Sequence, residues 1–342
     1  MSTAVPPDDP TFFPAAFDAT AGTLSFCRAE RRTLSEAAFL DDRFVAGAES
    51  LGAIAAATLS GRAAADTTPA APAFVLHTAF CCSTLISRCL DLPGINLSLR
   101  EPGVLMDLAN ALRMVPPERR PAVREALAVT VGLLARGHAP GERILVKPTN
   151  AATSLYASLL EVAPDARAVL LFSGLRAFLV SVLKKGEAGR HFVRALYNIF
   201  ALDGTGLSRI PARQAMAFTD LQVAALVWRH QVESFQGLLD ALPGERLHVL
   251  DGDRFLADPR AALGALCGFL RLDVDDETLD AVATGPALAR DAKFDDQAFD
   301  VGTRRSEARA VESRWGTELD LICGWAGPLV LDRPVDPRFT AP

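Results

Sequence analysis

Polar and ionisable residues follow five short apolar runs of the sequence. These groups lie at 77–84, 101–102, 147–150, 173–181 and 251–254. If the apolar runs are parallel strands, their carboxyl ends meet at one edge of a sheet, where open sheets bind ligands. A carboxylate there could take a proton from an acceptor hydroxyl, and a lysine could offset charge on a leaving group. The sequence therefore predicts a single site. Its candidate catalytic residues are Glu101, Lys147 and His77.

The first group belongs to a predicted strand–loop–helix at 74–91. An apolar strand leads through a tight loop to Ser83 and Thr84, which open the helix. Unpaired N–H groups at a helix N-terminus hold an anion well, and hydroxyls add donors. Ser83 could equally be a simple N-cap that needs no ligand. Residues 79–84 contain neither the glycine nor the lysine of a Walker A loop, which disfavours magnesium-dependent hydrolysis of ATP or GTP.

Each candidate catalytic residue also has a structural interpretation. Glu101 precedes Pro102 at a predicted helix start, where the helix dipole favours a carboxylate. His77 lies inside the first strand, where a core histidine with a satisfied ring is the simpler interpretation. Lys147 ends an apolar run and could simply reach solvent. The functional interpretation of Lys147 is favoured because the neighbouring groups are candidates too.

The elements that must position these residues are typical of an α/β fold. The apolar runs at 74–79, 95–99, 143–147, 166–173 and 246–250 each precede a segment with helical spacing. Alternating strands and helices predict a three-layer sandwich, with a parallel sheet of about five strands covered on both faces. Residues 1–73 are interpreted as an N-terminal strap and a helix at 41–62. Residues 74–342 form the α/β domain, with a helical insertion at about 187–242.

Composition argues against several classes of function. The net charge of −6 argues against broad nucleic-acid binding, which requires a basic face. The N-terminus lacks the pattern of a secretory signal and no apolar run is long enough to cross a bilayer, so we expect a cytoplasmic protein without a membrane partner. None of the six cysteines forms a CxxC pair, and we expect reduced thiols and no metal.

The order of the motifs resembles that of sulfotransferases. Ser83–Thr84 after the first strand is followed by Glu101–Pro102, Lys147–Pro148 and a Pro-Asp-Ala-Arg sequence at 164–167. The stretch LHVLDGDRFLADPRAALGALCGFLRL at 247–272 is also similar to a downstream stretch of that family. The resemblance covers about residues 74–300. It implies a P-loop NTPase-like fold and transfer of a sulfuryl group from 3′-phosphoadenosine-5′-phosphosulfate (PAPS) to a hydroxyl or amine.

The resemblance also implies roles for individual residues. Glu101 would be the catalytic base, and Ser181 would contact the 3′-phosphate. The implied donor-binding residues are Phe80, Cys81, Cys82, Ser83, Thr84, Ser173, Arg176 and Ser181. The chain departs from the family at Phe80 and Ser173, where the family has cations, and at Cys82, where it has glycine. Arg176 could substitute for one missing cation, and the remaining charge could come from Lys147, Lys184, Lys185, Arg190 and Arg305.

Two other functions remain open. A kinase-like phosphotransferase on the same scaffold would bind ATP with magnesium. A non-catalytic protein could retain the fold without the donor site, and Phe80 and Ser173 favour that alternative. For an enzyme, the acceptor would be a small molecule or a carbohydrate that the sequence does not identify. The chain could form a homodimer.

Overall fold

A five-stranded parallel sheet forms the centre of the protein. The computed structural model describes residues 9–63, 70–285, 288 and 301–340. Its strands are β1 (Phe12–Asp18), β2 (Thr23–Arg28), β3 (Ser50–Ala55), β4 (Ala73–His77), β5 (Asn96–Arg100), β6 (Arg143–Lys147), β7 (Ala168–Phe172) and β8 (Leu247–Asp251). The parallel sheet has the order β5-β6-β4-β7-β8. All five predicted strands are confirmed, with bounds within two residues of the predicted ones.

Helices follow the parallel strands, as predicted. They are α1 (Arg31–Glu36), α2 (Asp42–Ala46), α3 (Ala56–Ala63), α4 (Ser83–Cys89), α5 (Gly103–Met114), α6 (Arg120–Leu134), α7 (Tyr156–Val162), α8 (Leu175–Lys184), α9 (Gly186–Phe200), α10 (Ala212–Ala217), α11 (Asp220–Ala241), α12 (Gly252–Ala257), α13 (Pro259–Leu270), α14 (Asp276–Thr284) and α15 (Val301–Ala326). Short 3₁₀ helices lie at Pro117–Arg119, Asn150–Leu155, Gly206–Arg209, Gly244–Arg246 and Pro337–Phe339. Helices α9 to α11 occupy the predicted insertion. Helix α11 has the predicted bounds because Thr219 and Gln222 form a capping box at its start.

The parallel sheet is buried on both faces. In β7, Ala168 and Leu170 point into one hydrophobic core, whereas Val169 and Leu171 point into another. The first core includes α5 to α9 and α11, and the second includes α4 and α12 to α14. Alternate residues of a strand point to opposite faces, so a strand between two helical layers must be apolar throughout. The predicted three-layer α/β sandwich is therefore confirmed.

The N-terminal segment differs from its prediction. Strands β1, β2 and β3 form an antiparallel sheet, so the helix predicted at 41–62 is wrong across Ser50–Ala55. Residues 50–55 pair with β2 over a register from Ser50↔Cys27 to Ala55↔Thr23. The alanine-rich sequence favours a helix locally, but this tertiary pairing overrides that preference. The division of the chain at residue 73 stays a prediction.

Arg100 attaches the N-terminal segment to the parallel sheet. Its buried guanidinium donates to the carbonyl oxygens of Leu34, Ser35 and Ala37, and it pairs with Asp91 at 3.2 Å. The Leu40 N–H in turn donates to the Arg100 carbonyl at 2.7 Å. These bonds satisfy carbonyls of the last turn and the C-cap of α1, which have no partner within the helix, and place residues 37–41 beside the end of β5.

The C-terminal segment returns across α11 and enters the core. The buried carboxylate of Glu233 accepts hydrogen bonds from the backbone N–H groups of Leu331, Asp332 and Arg333. Phe339 is fully buried, and its ring packs edge-to-face on Phe172 at 5.0 Å between centroids. The predicted helical pattern after residue 260 is found in α13 to α15, and the acidic stretch at 291–300 lies outside the described residues.

Candidate active site

The loop between β4 and α4 has an unusual backbone conformation. Phe80 and Cys82 have φ angles of 60° and 65°, in the left-handed region that residues other than glycine rarely adopt. Such strained residues persist where the surroundings hold them, often at ligand-binding sites. Cys82 is the N-cap of α4 and makes no side-chain cap hydrogen bond. The interpretation of Ser83 as the N-cap is therefore wrong. Ser83 and Thr84 lie buried in the first turn of α4.

Gly252 supports this loop from behind. It follows β8, and a Cβ atom at this position would lie 2.6 Å from the carbonyl oxygen of Cys81. That separation is too short for any side chain, so glycine is required for α12 to approach the loop. The end of β8 therefore helps to hold the left-handed loop in place.

Replacing Gly252 by alanine is expected to displace the Cys81 carbonyl. The overpacking should lower the free energy of unfolding by about 1–3 kcal/mol, measured by urea denaturation. Gly268→Ala is the matched control, because a Cβ at Gly268 meets nothing within 4 Å. That helical site should be neutral or gain up to about 1 kcal/mol. Equal effects of the two substitutions would show that the loop does not depend on Gly252.

The three predicted catalytic residues lie together at the carboxyl edge of neighbouring strands. Lys147, the last residue of β6, donates from Nζ to Oε1 of Glu101 at 2.5 Å. Nε2 of His77, the last residue of β4, is 3.5 Å from the same Nζ. The Lys147 side chain is 0% exposed and that of Glu101 is 24% exposed. Lys147 therefore does not reach solvent, whereas the carboxylate remains partly accessible.

Glu101 is held by its backbone as well as by its side chain. Its φ angle is 53°, and its N–H donates to the carbonyl of Lys147 at 2.7 Å. Pro102 is the N-cap of α5 rather than its first helical residue, and Glu101 lies just before it, next to the predicted helix start. Three left-handed residues, Phe80, Cys82 and Glu101, thus lie in two of the five segments that carry the predicted site.

His77 is a buried, neutral histidine. Its Nδ1 lies 2.8 Å from the carbonyl oxygen of Thr78, and its Nε2 lies 3.0 Å from that of Pro148. A protonated ring could donate to both oxygens. Burial and the neighbouring Lys147 ammonium disfavour the charged ring, and these two effects outweigh the two hydrogen bonds and the charge of Glu101, which favour it. They lower the pKa of His77 to about 3. The ring is therefore uncharged near neutral pH, does not act there as a general acid, and lies beside Lys147 as a neutral neighbour.

Acid should destabilise the protein through His77. In the unfolded chain a histidine has a pKa of about 6.5, so below that pH only the unfolded state takes up this proton. The free energy of unfolding should fall by about 2 kcal/mol between pH 6.5 and pH 5 from this group alone. His77→Gln should remove that part of the loss in urea denaturation at the two pH values. The other histidines are present in both proteins and cancel, so an unchanged pH dependence in His77→Gln would contradict the assignment.

The N-terminal segment adds Phe39 and Arg43 to the site. The Phe39 ring centroid lies 5.6 Å from Nζ of Lys147 and 5.6 Å from Cζ of Arg43. An ion pair with Asp41 is the main cause that raises the pKa of Arg43, and the charge of Glu101 contributes. Sequence reasoning missed Phe39, because nothing in residues 37–43 indicates that they lie beside β6. The ring covers one side of the ion pair between Lys147 and Glu101.

The remaining predicted donor-binding residues lie on helix α8, which carries Arg176 and Ser181, or just before it, at Ser173. Ser173 is buried before its start, and its carbonyl accepts a hydrogen bond from Nε1 of Trp228. The Arg176 guanidinium pairs with Glu312 at 3.2 Å and with Asp320 at 2.6 Å, both on α15. Substitution of Arg176 for a missing donor-binding cation stays a prediction, and it would require these pairs to open.

Lys185 lies at the loop itself. Its Nζ is 5.8 Å from the centroid of the Phe80 ring, which also packs on Phe178 and Phe192. Lys184 instead pairs with Glu307 on α15. Of the other cations considered, Arg190 is 3.5 Å from Asp220, and the Arg305 side chain lies outside the described residues. The structure thus brings one of these lysines to Phe80, where the resemblance implies a cation.

Cys81 of the loop is not a reactive thiolate. Cys81 is buried and donates from Sγ to the carbonyl of Thr78, and burial raises the pKa of its thiol to about 12. In the described part of the chain the cysteines are unbridged, and no three histidine, cysteine or carboxylate side chains cluster as a metal site would require. In that same part, no helix has the length and apolarity needed to span a bilayer.

Solved structures that resemble the chain include sulfotransferases. The sulfotransferase STF9 from Mycobacterium avium is 15% identical, with a TM-score of 0.42, over 78% of this chain and 83% of that one. The sulfotransferase domain from the curacin biosynthetic pathway is 14% identical, with a TM-score of 0.43, over 74% and 97%. The sulfotransferase domain of the olefin synthase from Synechococcus PCC 7002 is 16% identical, with a TM-score of 0.41, over 80% and 94%.

The two comparisons of the amino-acid sequence found no match. No protein-family model matches the chain, and no curated protein matches it. The likeness to the solved structures is too distant to carry a function, since one fold can host many chemistries. The side chains at the carboxyl edge of the sheet are therefore the only basis for a function.

Proposed function

We propose that the chain is a sulfotransferase-like enzyme that transfers a sulfuryl group from PAPS to a hydroxyl or amine. The observation that carries this proposal is the cluster of Glu101, Lys147 and His77 at one sheet edge, which also carries the left-handed loop 78–82. Sulfuryl transfer requires a base for the acceptor, a cation for the leaving phosphate and a holder for the donor oxyanions. The acceptor is proposed to be a small molecule or a carbohydrate.

The residues of the loop suit the donor. Successive backbone N–H groups in a loop with left-handed residues form a concavity that binds anions. Ser83 and Thr84 place two buried hydroxyl groups at the end of this loop. Lys147 adds a buried positive charge near the same edge. Together these groups would hold the phosphosulfate and receive the charge of the leaving 5′-phosphate.

The ion pair couples the base to the leaving group. The acceptor oxygen forms a bond to sulfur while its proton passes to Glu101, and the bond between sulfur and the phosphate oxygen breaks. The electron pair of the broken bond leaves with adenosine 3′,5′-bisphosphate. Because Glu101 becomes neutral as it takes the proton, Lys147 loses its anionic partner at that moment. Its charge is then available to the phosphate on which negative charge develops.

Thermal melting with PAPS tests this proposal. A ligand that binds only the folded state raises the melting temperature, and at 100 times its Kd it adds about 2.7 kcal/mol to stability. We expect that shift with PAPS in the absence of magnesium and no comparable shift with ATP and magnesium, which a kinase-like phosphotransferase would show. A folded protein whose melting temperature does not move with millimolar PAPS would contradict the proposal.

A further inference from the structure

One face of α8 is directed at the loop. Phe178 and Lys185 are seven residues apart, and both contact the ring of Phe80. Residues at i, i+3 and i+7 share one face of a helix, so Ser181 lies between Phe178 and Lys185 on this face. Solvent exposure increases along this face: Phe178 is buried, Ser181 is half-buried and Lys185 is exposed. Ser181 and Lys185 are thus neighbours on this face, and the ammonium group of Lys185 lies at the loop.

The Phe80 ring fixes where the ammonium of Lys185 lies. Its centroid is 5.7 Å from that of Phe178 and 5.5 Å from that of Phe192, so the ring is packed between two helices. A lysine ammonium within about 6 Å of a ring face is attracted by the ring quadrupole. Phe80 is itself a left-handed residue of the loop. The ring therefore holds a cation against the same backbone that would hold the donor.

The proposed donor needs such a cation. PAPS carries several negative charges, and the loop residues Phe80 to Thr84 include no basic side chain. We infer that Lys185 binds a phosphate group of the nucleotide donor and replaces the cation that the loop lacks. This inference rests on the proposed function and adds to it a binding residue outside the loop. Charge-assisted hydrogen bonds of this kind are among the strong ones in proteins.

Calorimetric titration with adenosine 3′,5′-bisphosphate tests the role of Lys185. Lys185→Ala should weaken binding about 10- to 100-fold, as expected for the loss of a hydrogen bond to a charged group. Lys185→Arg should retain most of the affinity, because it keeps the charge. Lys184→Ala is the matched control: it removes the adjacent lysine, which pairs with Glu307, and should leave the affinity unchanged.

Titrations with adenosine 3′-monophosphate and adenosine 5′-monophosphate locate the phosphate. The monophosphate whose affinity falls in Lys185→Ala carries the group that Lys185 contacts, and a fall in either one supports the inference. Wild-type affinity for the bisphosphate in Lys185→Ala would overturn the role of Lys185 and leave the proposed function intact. Failure of the wild-type protein to bind the bisphosphate would overturn both.

Discussion

Glu101→Gln is expected to lower the rate of sulfuryl transfer by about 10²- to 10⁴-fold, the usual contribution of a general base. The amide cannot accept the acceptor proton, although it has nearly the same shape as the carboxylate. The measurement is release of adenosine 3′,5′-bisphosphate from PAPS with a panel of phenols, alcohols, amines and sugars. The affinity for the bisphosphate should change much less than the rate, because the base acts on the acceptor.

A second glutamate provides the control for this substitution. Glu142 is also buried and pairs with an arginine, Arg31, at 2.7 Å, but it does not belong to the site. Glu142→Gln should therefore lower stability and leave the transfer rate of the folded protein largely unchanged. If Glu101→Gln kept full activity, or if Glu142→Gln lost as much, the assignment of Glu101 as the base would be wrong.

The largest expected loss of stability comes from Phe339→Ala. Truncating a fully buried phenylalanine typically costs about 3–5 kcal/mol, because it removes apolar contacts and leaves a cavity. Phe339 packs on Phe172, the last residue of β7, and on Phe235 of α11 at 6.3 Å between ring centroids. Urea denaturation should show this decrease as a lower midpoint with a similar slope.

Val330→Ala is the control in the same segment. Val330 is 55% exposed, so its truncation should change the free energy of unfolding by no more than about 0.5 kcal/mol. A loss below about 1 kcal/mol for Phe339→Ala would mean that the C-terminal segment is not packed into the core as described. The three backbone hydrogen bonds that Glu233 accepts from residues 331–333 would then not fix this segment on α11.

The parallel sheet could be predicted from the sequence because its strands are buried on both faces. Continuous apolar runs such as that of β7 identify such strands, and the carboxyl-end rule then brings His77, Glu101 and Lys147 together. Strand β3 could not be predicted, since alanine-rich residues pair with β2 against their local preference. The local sequence pattern predicts strands whose burial requires an apolar composition. It does not predict strands that form only because they pair with a distant segment.

The side-chain contacts within the site could not be predicted from the sequence. Phe39 reaches Lys147 because Arg100 binds the carbonyls of residues 34–37, a contact across more than 60 positions that no short motif encodes. Arg176 pairs with α15, whereas Lys185 lies over Phe80. The packing of α8 determines which cation contacts the loop. Residue type and spacing in the sequence do not determine this packing.

A crystal structure with adenosine 3′,5′-bisphosphate tests the central claim most directly. We expect its 5′-phosphate among the N–H groups of residues 81–84, at hydrogen-bond distances of about 3 Å, with Lys147 and Glu101 on the side where an acceptor would enter. A nucleotide bound elsewhere, or a loop whose N–H groups contact no phosphate at saturating ligand, would contradict the claim that this sheet edge holds the donor.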